Sequence, residues 1–264
     1  MKTTLQVQGI DVYVEGPSDA ATTIVMIHGW PDTYRLWDAQ VAALAPSYRT
    51  VRFTLPGFEV NHPRRRVTLD EMVALFAAIV DAVSPTVPVT LLLHDWGCVF
   101  GYQYAARFPA RVERVIGVDI GDTFAPDFAK TLPLRAKLMV AGYQGWLALA
   151  HPLGGVGTRM TRMMARALKA PAPANTLGAQ QNYPYVMQWT GGFRSATNFE
   201  PHCPMLYIYG SRKPFMFHTQ RWLDELDRRP GSGAQRMNTG HWVMAEQPAD
   251  FNQRVSAWLN QAQR

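Results

Sequence analysis

The chain has 264 residues, of which 47% are hydrophobic and 17% are charged, so it is long enough for a sizeable core and is not a disordered protein. Its net charge of +6 favours anionic partners, but the largest basic run, Arg64–Arg66, has no interleaved aromatic residues, and we expect no nucleic-acid partner. The two cysteines, Cys98 and Cys203, lie far apart and indicate neither a disulfide framework nor a metal site. Because no signal segment and no membrane-spanning apolar run is evident, we expect a cytoplasmic protein that does not cross a membrane.

Apolar runs and turn residues predict strands that alternate with helices along most of the chain. The predicted strands are a hairpin over Leu5–Val14, then Thr23–His28, Val51–Thr54, Val89–Leu93, Val112–Ile120, Pro204–Gly210 and Gln235–Asn238. The predicted helices begin near Tyr34, at Thr68, at Val99 and near Thr219, and a final helix buries Phe251, Val255, Trp258 and Leu259. This alternation predicts an α/β fold with a mostly parallel sheet flanked by helices.

The alternation stops after the sixth strand, at Gly121, and resumes near residue 204. Residues 124–200 are rich in Met, Pro and Gly and show helical patterns without a clear strand. We therefore expect a core domain formed by residues 1–123 and 201–264, with residues 124–200 inserted as a helical cap over the strand ends.

Asp95 follows the apolar strand Val89–Leu93 and precedes a helix, which is where open α/β sheets hold reactive groups. The string His94-Asp95-Trp96-Gly97 resembles the epoxide hydrolases and haloalkane dehalogenases of the α/β-hydrolase fold. The resemblance implies that Asp95 attacks carbon directly and forms an ester. The alternative is that Asp95 only caps the helix that follows it.

The string His28-Gly29-Trp30-Pro31 follows an earlier strand and resembles the oxyanion-hole loop of the same family. The resemblance assigns the hole to the backbone amides of Trp30 and Trp96. We include His28 in this substrate-binding region, where we expect it and His94 to support the turns rather than to react.

The general base is expected in a loop after the last strand, and His241 fits this position. Many α/β-hydrolases carry the orienting acid three residues after a glycine that corresponds to Gly210, but Lys213 occupies that place. Other members of the family carry the orienting acid at the end of the sixth strand, and Asp119 occupies that position. Asp122 is the alternative acid, and both carboxylates could instead cap the first helix of the cap.

The family usually has glycine two residues before the nucleophile and again three residues after it, where this chain has Leu93 and Cys98. Leu93 and Lys213 leave open a third class of function, a ligand-binding or sensor protein that keeps the fold and turns over poorly.

The leaving group distinguishes the two enzyme activities. Epoxide hydrolases protonate the departing oxygen with two cap tyrosines, and Tyr143 together with Tyr183 or Tyr185 resembles that pair, with the choice between the last two left open by Pro184. An aromatic residue at Trp30 is also usual in epoxide hydrolases. Tyrosines that only pack are the alternative.

These features predict a hydrolase that opens a hydrophobic epoxide to a vicinal diol with water, without a cofactor or a metal. Haloalkane hydrolysis by the same nucleophile is the nearest alternative. In the cap, Thr158–Lys169 predicts a helix with Arg159, Arg162, Arg166 and Lys169 on a solvated face and its methionines on an apolar one, with membrane-surface binding as the minor interpretation. The assembly is left open, with a homodimer as one candidate.

Overall fold

A computed structural model describes residues 2–261, which include one sheet of eight strands. The strands are β1 (Lys2–Val7), β2 (Ile10–Glu15), β3 (Thr23–Ile27), β4 (Arg49–Phe53), β5 (Val89–His94), β6 (Val112–Val118), β7 (Met205–Gly210) and β8 (Gly233–Met237). Their spatial order is β1-β2-β4-β3-β5-β6-β7-β8. β1 and β2 form an antiparallel hairpin, β2 pairs antiparallel with β4, and every other neighbouring pair is parallel.

Helices lie on both faces of this sheet and in the segment between β6 and β7. They are α1 (Asp38–Leu44), α2 (Leu69–Val83), α3 (Trp96–Arg107), α4 (Phe128–Thr131), α5 (Leu134–Ala150), α6 (Gly154–Ala167), α7 (Tyr183–Thr190), α8 (Gln220–Arg228), α9 (Val243–Glu246) and α10 (Pro248–Gln261). Short 3₁₀ helices cover Tyr34–Trp37, Pro109–Arg111, His151–Leu153, Ala174–Thr176 and Ala179–Asn182. None of the helices within residues 2–261 is long and apolar enough to cross a membrane.

The central strands are continuous apolar runs because both of their faces are covered. All residues of β3 and of β5 are buried. Alternate β3 residues belong to two cores: Ile24 and Met26 pack with α1 and α10, and Val25 and Ile27 pack with α2 and α3. The predicted fold class, a mostly parallel sheet flanked by helices, is confirmed.

Several predicted element boundaries differ from the structure by one or more residues, and two of these differences involve an aspartate. The helix after β5 begins at Trp96 and not at Val99, and β6 ends at Val118 and not at Ile120. Asp95 and Asp119 have φ angles of 53° and 69°, which interrupt regular structure. Each carboxylate therefore lies in a turn at the carboxyl end of a central strand.

The segment between β6 and β7 contains α4–α7 and, among its described residues, no strand. We treat residues 124–200 as the cap and residues 1–123 with 201–264 as the core, although Met1 and residues 262–264 of that core lie outside the described part of the chain. The cap contacts the core through the buried amide of Gln181, whose Nε2 donates to the carbonyl oxygens of Pro31 and Phe58.

Candidate active site

The turn between β5 and α3 exposes Asp95 at the edge of the sheet. Its backbone, at φ 53° and ψ −124°, is strained for a residue with a side chain. Two glycines allow the turn to approach the β3 loop. A Cβ on Gly97 would lie 2.3 Å from the carbonyl oxygen of Ile27, and a Cβ on Gly29 would lie 2.3 Å from Asp95 Oδ1. The elbow therefore depends on these two glycines.

The two departures from the family's glycine pattern fit into this turn. Leu93 is fully buried, and Gly101 makes room for it, because a Cβ on Gly101 would lie 2.6 Å from Leu93 Cδ2. Cys98 is also buried, and its thiol donates to the carbonyl oxygen of Val118 at 3.5 Å. The elbow geometry is therefore retained without glycine at either position.

The Asp95 carboxylate lies between two backbone amides and an imidazole. The N–H of Trp30 donates to Oδ1 at 2.7 Å, and the N–H of Trp96 also donates to the carboxylate. Burial alone would raise the pKa of Asp95, but the hydrogen bond and the positive charge of His241, followed by the Trp96 amide, lower it below the usual value. Asp95 is therefore an ionised carboxylate with one oxygen held and the other facing the imidazole.

His241 lies in the loop between β8 and α9 and bridges two carboxylates. Its Nε2 is 3.3 Å from Asp95 Oδ2, and its Nδ1 is 2.5 Å from Asp119 Oδ2. Burial would lower the pKa of His241, but the charge of Asp119, its hydrogen bond and the charge of Asp95 raise that pKa to about 9. The imidazole is therefore protonated at neutral pH while Asp95 is a free carboxylate.

Asp119, and not Asp122, is the acid that contacts His241. Asp119 is fully buried. The Asp122 carboxylate instead accepts hydrogen bonds from the Thr219 N–H at 2.8 Å and from its hydroxyl at 2.6 Å, and Thr219 is the N-cap of α8. Asp122 therefore fixes the start of a core helix.

Lys213 is a site residue that the sequence did not predict. Its ammonium contacts Asp119 Oδ1, which also accepts the N–H of Gly210 at 3.0 Å. Only 7% of the Lys213 side chain is exposed. Burial alone would raise the pKa of Asp119, whereas the Lys213 and His241 charges lower it below its usual value. The lysine at the family's usual acid position therefore binds the acid that replaces it.

His28 lies behind the Trp30 loop and is not among the residues that line the pocket described below. The His28 Nδ1–H donates to the Gly29 carbonyl at 2.8 Å, and its Nε2 accepts the Leu55 N–H at 2.9 Å. Burial lowers its pKa to about 4, so it is neutral. The inclusion of His28 among substrate-binding residues is therefore corrected to a supporting position.

A cavity of about 880 Å³ separates the cap from the sheet edge. Asp95 and His241 line its core side, and Tyr143 and Tyr185 line its cap side. The rings of Tyr143 and Tyr185 meet edge to face with centroids 6.1 Å apart, and Tyr185 lies 5.2 Å from the ring of Trp96. The cavity is therefore lined by a carboxylate, an imidazole and two tyrosine side chains.

The structure distinguishes the two tyrosines around Pro184. Tyr183 is the first residue of α7, so Tyr185 points to a different side of the helix. The Tyr183 ring packs on Phe58 with centroids 5.8 Å apart, and its buried hydroxyl has no partner among the described residues. Of these two tyrosines, Tyr185 lines the cavity and Tyr183 does not, so the structure does not bring Tyr183 together with Asp95 as predicted.

Asn182 is a second residue that the sequence did not predict at this site. Its Oδ1 accepts the indole N–H of Trp30 at 2.8 Å, and its Nδ2 donates to the Thr161 hydroxyl at 2.8 Å. The Trp30 side chain is therefore fixed by the cap and has no free N–H to offer to a ligand. No periodicity in the sequence could have indicated this contact between residues 152 positions apart.

Residues 22–248 match the family described as the alpha/beta hydrolase fold. A protein of Mycobacterium tuberculosis described as a probable oxidoreductase, EphD, is 38% identical over 109 residues, which are 40% of this chain and only 18% of that protein. A haloalkane dehalogenase of Mycolicibacterium paratuberculosis is 24% identical over 276 aligned residues, covering 92% of this chain and 85% of the relative.

Among solved structures, an inhibitor complex of the Bacillus megaterium epoxide hydrolase is similar to this fold. The TM-score is 0.70 at 17% identity, and the match covers 98% of this chain and 100% of the other. The predicted membership of the α/β-hydrolase fold is confirmed by the family match. With the strand order and the β5–α3 elbow described above, these matches show that the chain belongs to the α/β-hydrolase fold family.

Proposed function

We propose that this protein hydrolyses an apolar epoxide to a vicinal diol through an ester on Asp95. The observation that carries the proposal is that two tyrosines, Tyr143 and Tyr185, line the same cavity as Asp95 and His241. An epoxide needs both a nucleophile at carbon and a proton for its departing oxygen. The core side of the cavity provides the nucleophile, Asp95, and the cap side provides the proton donors, Tyr143 and Tyr185.

In the first step, Asp95 Oδ2 attacks one ring carbon, and the bond between that carbon and the ring oxygen breaks. Tyr143 or Tyr185 gives its proton to the ring oxygen. Burial, and then the negative charge of Asp95, raise the pKa of Tyr185 well above its usual value. The hydroxyl is therefore protonated in the resting site and can donate its proton to the ring oxygen of the epoxide. Oδ1 remains held by the amide of Trp30, and the amide of Trp96 also stabilises the negative charge of the carboxylate.

The ester changes the protonation of His241. In the resting site the negative charge of Asp95 raises the pKa of His241. Esterification removes that charge and so lowers the pKa of His241. The imidazolium then releases its proton, which restores the tyrosine hydroxyl. Neutral His241 can then take a proton from water while the oxygen of that water attacks the ester carbonyl. The tetrahedral oxyanion is held by the two amides, and Asp119 stabilises the new imidazolium.

Collapse of the tetrahedral intermediate breaks the bond between the carbonyl carbon and the ester oxygen, which is the former Asp95 Oδ2 now bound to the substrate carbon. That oxygen takes the proton of the new carboxyl group and leaves as the second hydroxyl of the diol. Asp95 is again an anion beside protonated His241, so the cycle consumes one epoxide and one water.

The cavity lining favours an apolar substrate. Its cap side includes Met139, Met164 and Leu168, and Phe215 and Phe217 lie on its core side. Methionines adapt to irregular ligands, and a mostly apolar wall contributes affinity without defining polar positions.

Haloalkane hydrolysis is the nearest alternative, and the dehalogenase relative supports the shared nucleophile. A halide needs N–H donors rather than an acid. The indole N–H of Trp30 already donates to Asn182, so it is not available to hold a halide. The two tyrosines therefore favour the epoxide.

The test uses an aryl epoxide and a bromoalkane in separate incubations, with diol and bromide as readouts. We expect diol formation, little bromide, and a fall in kcat of about 10²- to 10⁴-fold when Tyr143 and Tyr185 are both replaced by phenylalanine. Tyr183→Phe is the matched control, because its hydroxyl lies outside the cavity. Bromide release that is insensitive to the double substitution would favour dehalogenation.

His241→Gln tests the ester itself. The variant should alkylate Asp95 and stall, so mass spectrometry of the Asp95 peptide should show the mass of the epoxide added. Binding without any adduct or product, from a broad panel of substrates, would instead indicate a sensor protein.

A further inference from the structure

The positive charge of this chain is concentrated in one segment. Residues 128–199 contain eight of the 26 lysines and arginines and none of the 20 aspartates and glutamates. These basic residues are Lys130, Arg135, Lys137, Arg159, Arg162, Arg166, Lys169 and Arg194. Since the whole chain carries a net charge of only +6, the rest of the protein is slightly acidic. The cap is therefore a cationic body on an otherwise nearly neutral core.

The same segment contains most of the exposed apolar side chains. Nine of the twelve large hydrophobic residues that are exposed within the described chain lie there. They are Leu134, Leu138, Met139, Leu149, Leu153, Val156, Met163, Leu168 and Trp189. Isolated surface hydrophobics are ordinary, but a concentration of this kind marks an interaction surface.

Helix α5 is apolar on both of its faces. Ala136, Leu147 and Ala150 are buried, and Leu134 and Leu138, on the opposite face, are 71% and 65% exposed. Leu149 continues the exposed stripe at the far end of the helix, because it lies four helical turns from Leu134. A surface helix ordinarily presents polar residues to water, and nothing within residues 2–261 covers this stripe.

Helix α6 presents apolar and basic residues on one exposed face. Val156 and Met163 are 60% and 56% exposed, and helical spacing puts Arg159 and Arg166 beside them. The opposite face is buried through Gly157, Thr161 and Ala165. The expected separation of arginines and methionines onto two faces is wrong for Met163.

The exposed surface formed by α5 and the end of α6 borders the mouth of the active-site cavity. Met139 and Leu168 are exposed to solvent and also line the cavity, and Lys169 lines it beside them. A molecule that leaves an apolar phase at this surface would therefore meet the cavity without crossing bulk water.

We propose that the exposed faces of α5 and α6, which we call the cap surface, dock on an anionic lipid bilayer. Leu134, Leu138, Val156 and Met163 would enter the interfacial layer, while the lysines and arginines pair with anionic headgroups. Delivery of an apolar epoxide from the bilayer into the cavity rests on the proposed function. Docking itself does not.

Charge argues against the other occupants. A second copy would oppose two cap surfaces that each have cations and no acidic side chain, so their contact would be repulsive. Nucleic acid would match the charge, but it would leave the stripe of leucines on α5 without an apolar partner.

The test is co-sedimentation of the full chain with vesicles of phosphatidylcholine alone and of phosphatidylcholine with phosphatidylserine. We expect binding to the anionic vesicles that weakens as salt is raised, and little binding to the neutral ones. Arg159→Gln with Arg166→Gln should lower the partition coefficient by roughly twentyfold or more. Leu134→Ser with Leu138→Ser should lower it as well, because the apolar contribution is removed.

Arg221→Gln with Arg228→Gln is the matched control, because it removes two exposed charges from α8 of the core. It should bind vesicles as the wild type does. Equal loss in the control, or equal binding to neutral vesicles, would overturn the proposal, as would a dimer that dissociates on Leu134→Ser or a preference for an oligonucleotide over vesicles. Vesicle binding by a protein that forms no diol from a water-soluble epoxide would retain docking and reject the proposed activity.

Discussion

Replacing Lys213 by methionine should move the pH dependence of ester hydrolysis to higher pH. Lys213 and His241 contact opposite oxygens of the Asp119 carboxylate. The lysine charge therefore opposes protonation of the imidazole. Without it, His241 keeps its proton to higher pH and is a base over a narrower range.

The geometry gives the size of this effect. Two positive charges on either side of one carboxylate are roughly 5–6 Å apart, and at an effective dielectric of about 20 their repulsion is ~3 kcal/mol. That is equivalent to roughly two pKa units. Solvent access and relaxation reduce it, so we expect a shift of about one to two units.

The assay is a single turnover in which the ester is formed rapidly and its decay is followed as a function of pH. In the wild type, the midpoint of the acid limb should lie below the resting His241 pKa of about 9, because the ester carries no charge at Asp95. Lys213→Met should raise that midpoint, with the plateau rate recovered at high pH. Arg221→Met, which removes an exposed charge from α8, should leave the midpoint unchanged.

Loss of the buried lysine also removes one partner of Asp119 and should lower the melting temperature. Destabilisation alone would reduce the amount of active protein equally at every pH. An unchanged midpoint with a uniformly lower amplitude would therefore refute this argument and make Lys213 a purely structural residue.

Three further substitutions test other parts of the account. Gly29→Ala should reduce adduct formation by at least about a hundredfold, measured by mass spectrometry, because its Cβ would lie 2.3 Å from Asp95 Oδ1. Burial raises the pKa of Asp32 to about 7, so its carboxyl is favoured in the protonated form on folding, and stability falls as pH rises from about 4 to about 7. Asp32→Asn keeps an acceptor for the Trp242 indole and should raise the free energy of unfolding, measured by denaturant titration, by up to about 4 kcal/mol at pH ~8 but not at pH ~4. Gln181→Ala removes a donor to three backbone carbonyls, so it should lower the unfolding free energy by about 2–3 kcal/mol and speed hydrogen exchange in the cap.

The strands were predictable because burial on both faces leaves a continuous apolar run, as in Thr23–Ile27 and Val89–His94. The relative position of Asp95 and Asp119 follows from the same pattern, since the carboxyl ends of parallel strands meet at one edge of the sheet. Their turns were predictable only to within a few residues. Positive φ at a non-glycine residue is imposed by tertiary contacts and leaves no trace in periodicity.

Other features depend on pairs of residues that are distant in sequence. Leu93 seemed incompatible with a tight elbow because the space that Gly101 provides for it is visible only in three dimensions. The sequence suggested no role for Lys213, which occupies the family's usual acid position, because its partner Asp119 lies 94 residues earlier. The choice between Tyr183 and Tyr185 depends on the residue at which α7 begins, and sequence patterns place helix ends poorly.

The central claim is that the Asp95 carboxylate, and not water, attacks the carbon of the substrate. One turnover of an aryl epoxide in water labelled with heavy oxygen, with enzyme in excess, tests this most directly. Because water then attacks the ester carbonyl, the label should appear in the peptide that contains Asp95 and be absent from the first diol released. Label in that first diol, with an unlabelled Asp95 peptide, would contradict the covalent mechanism.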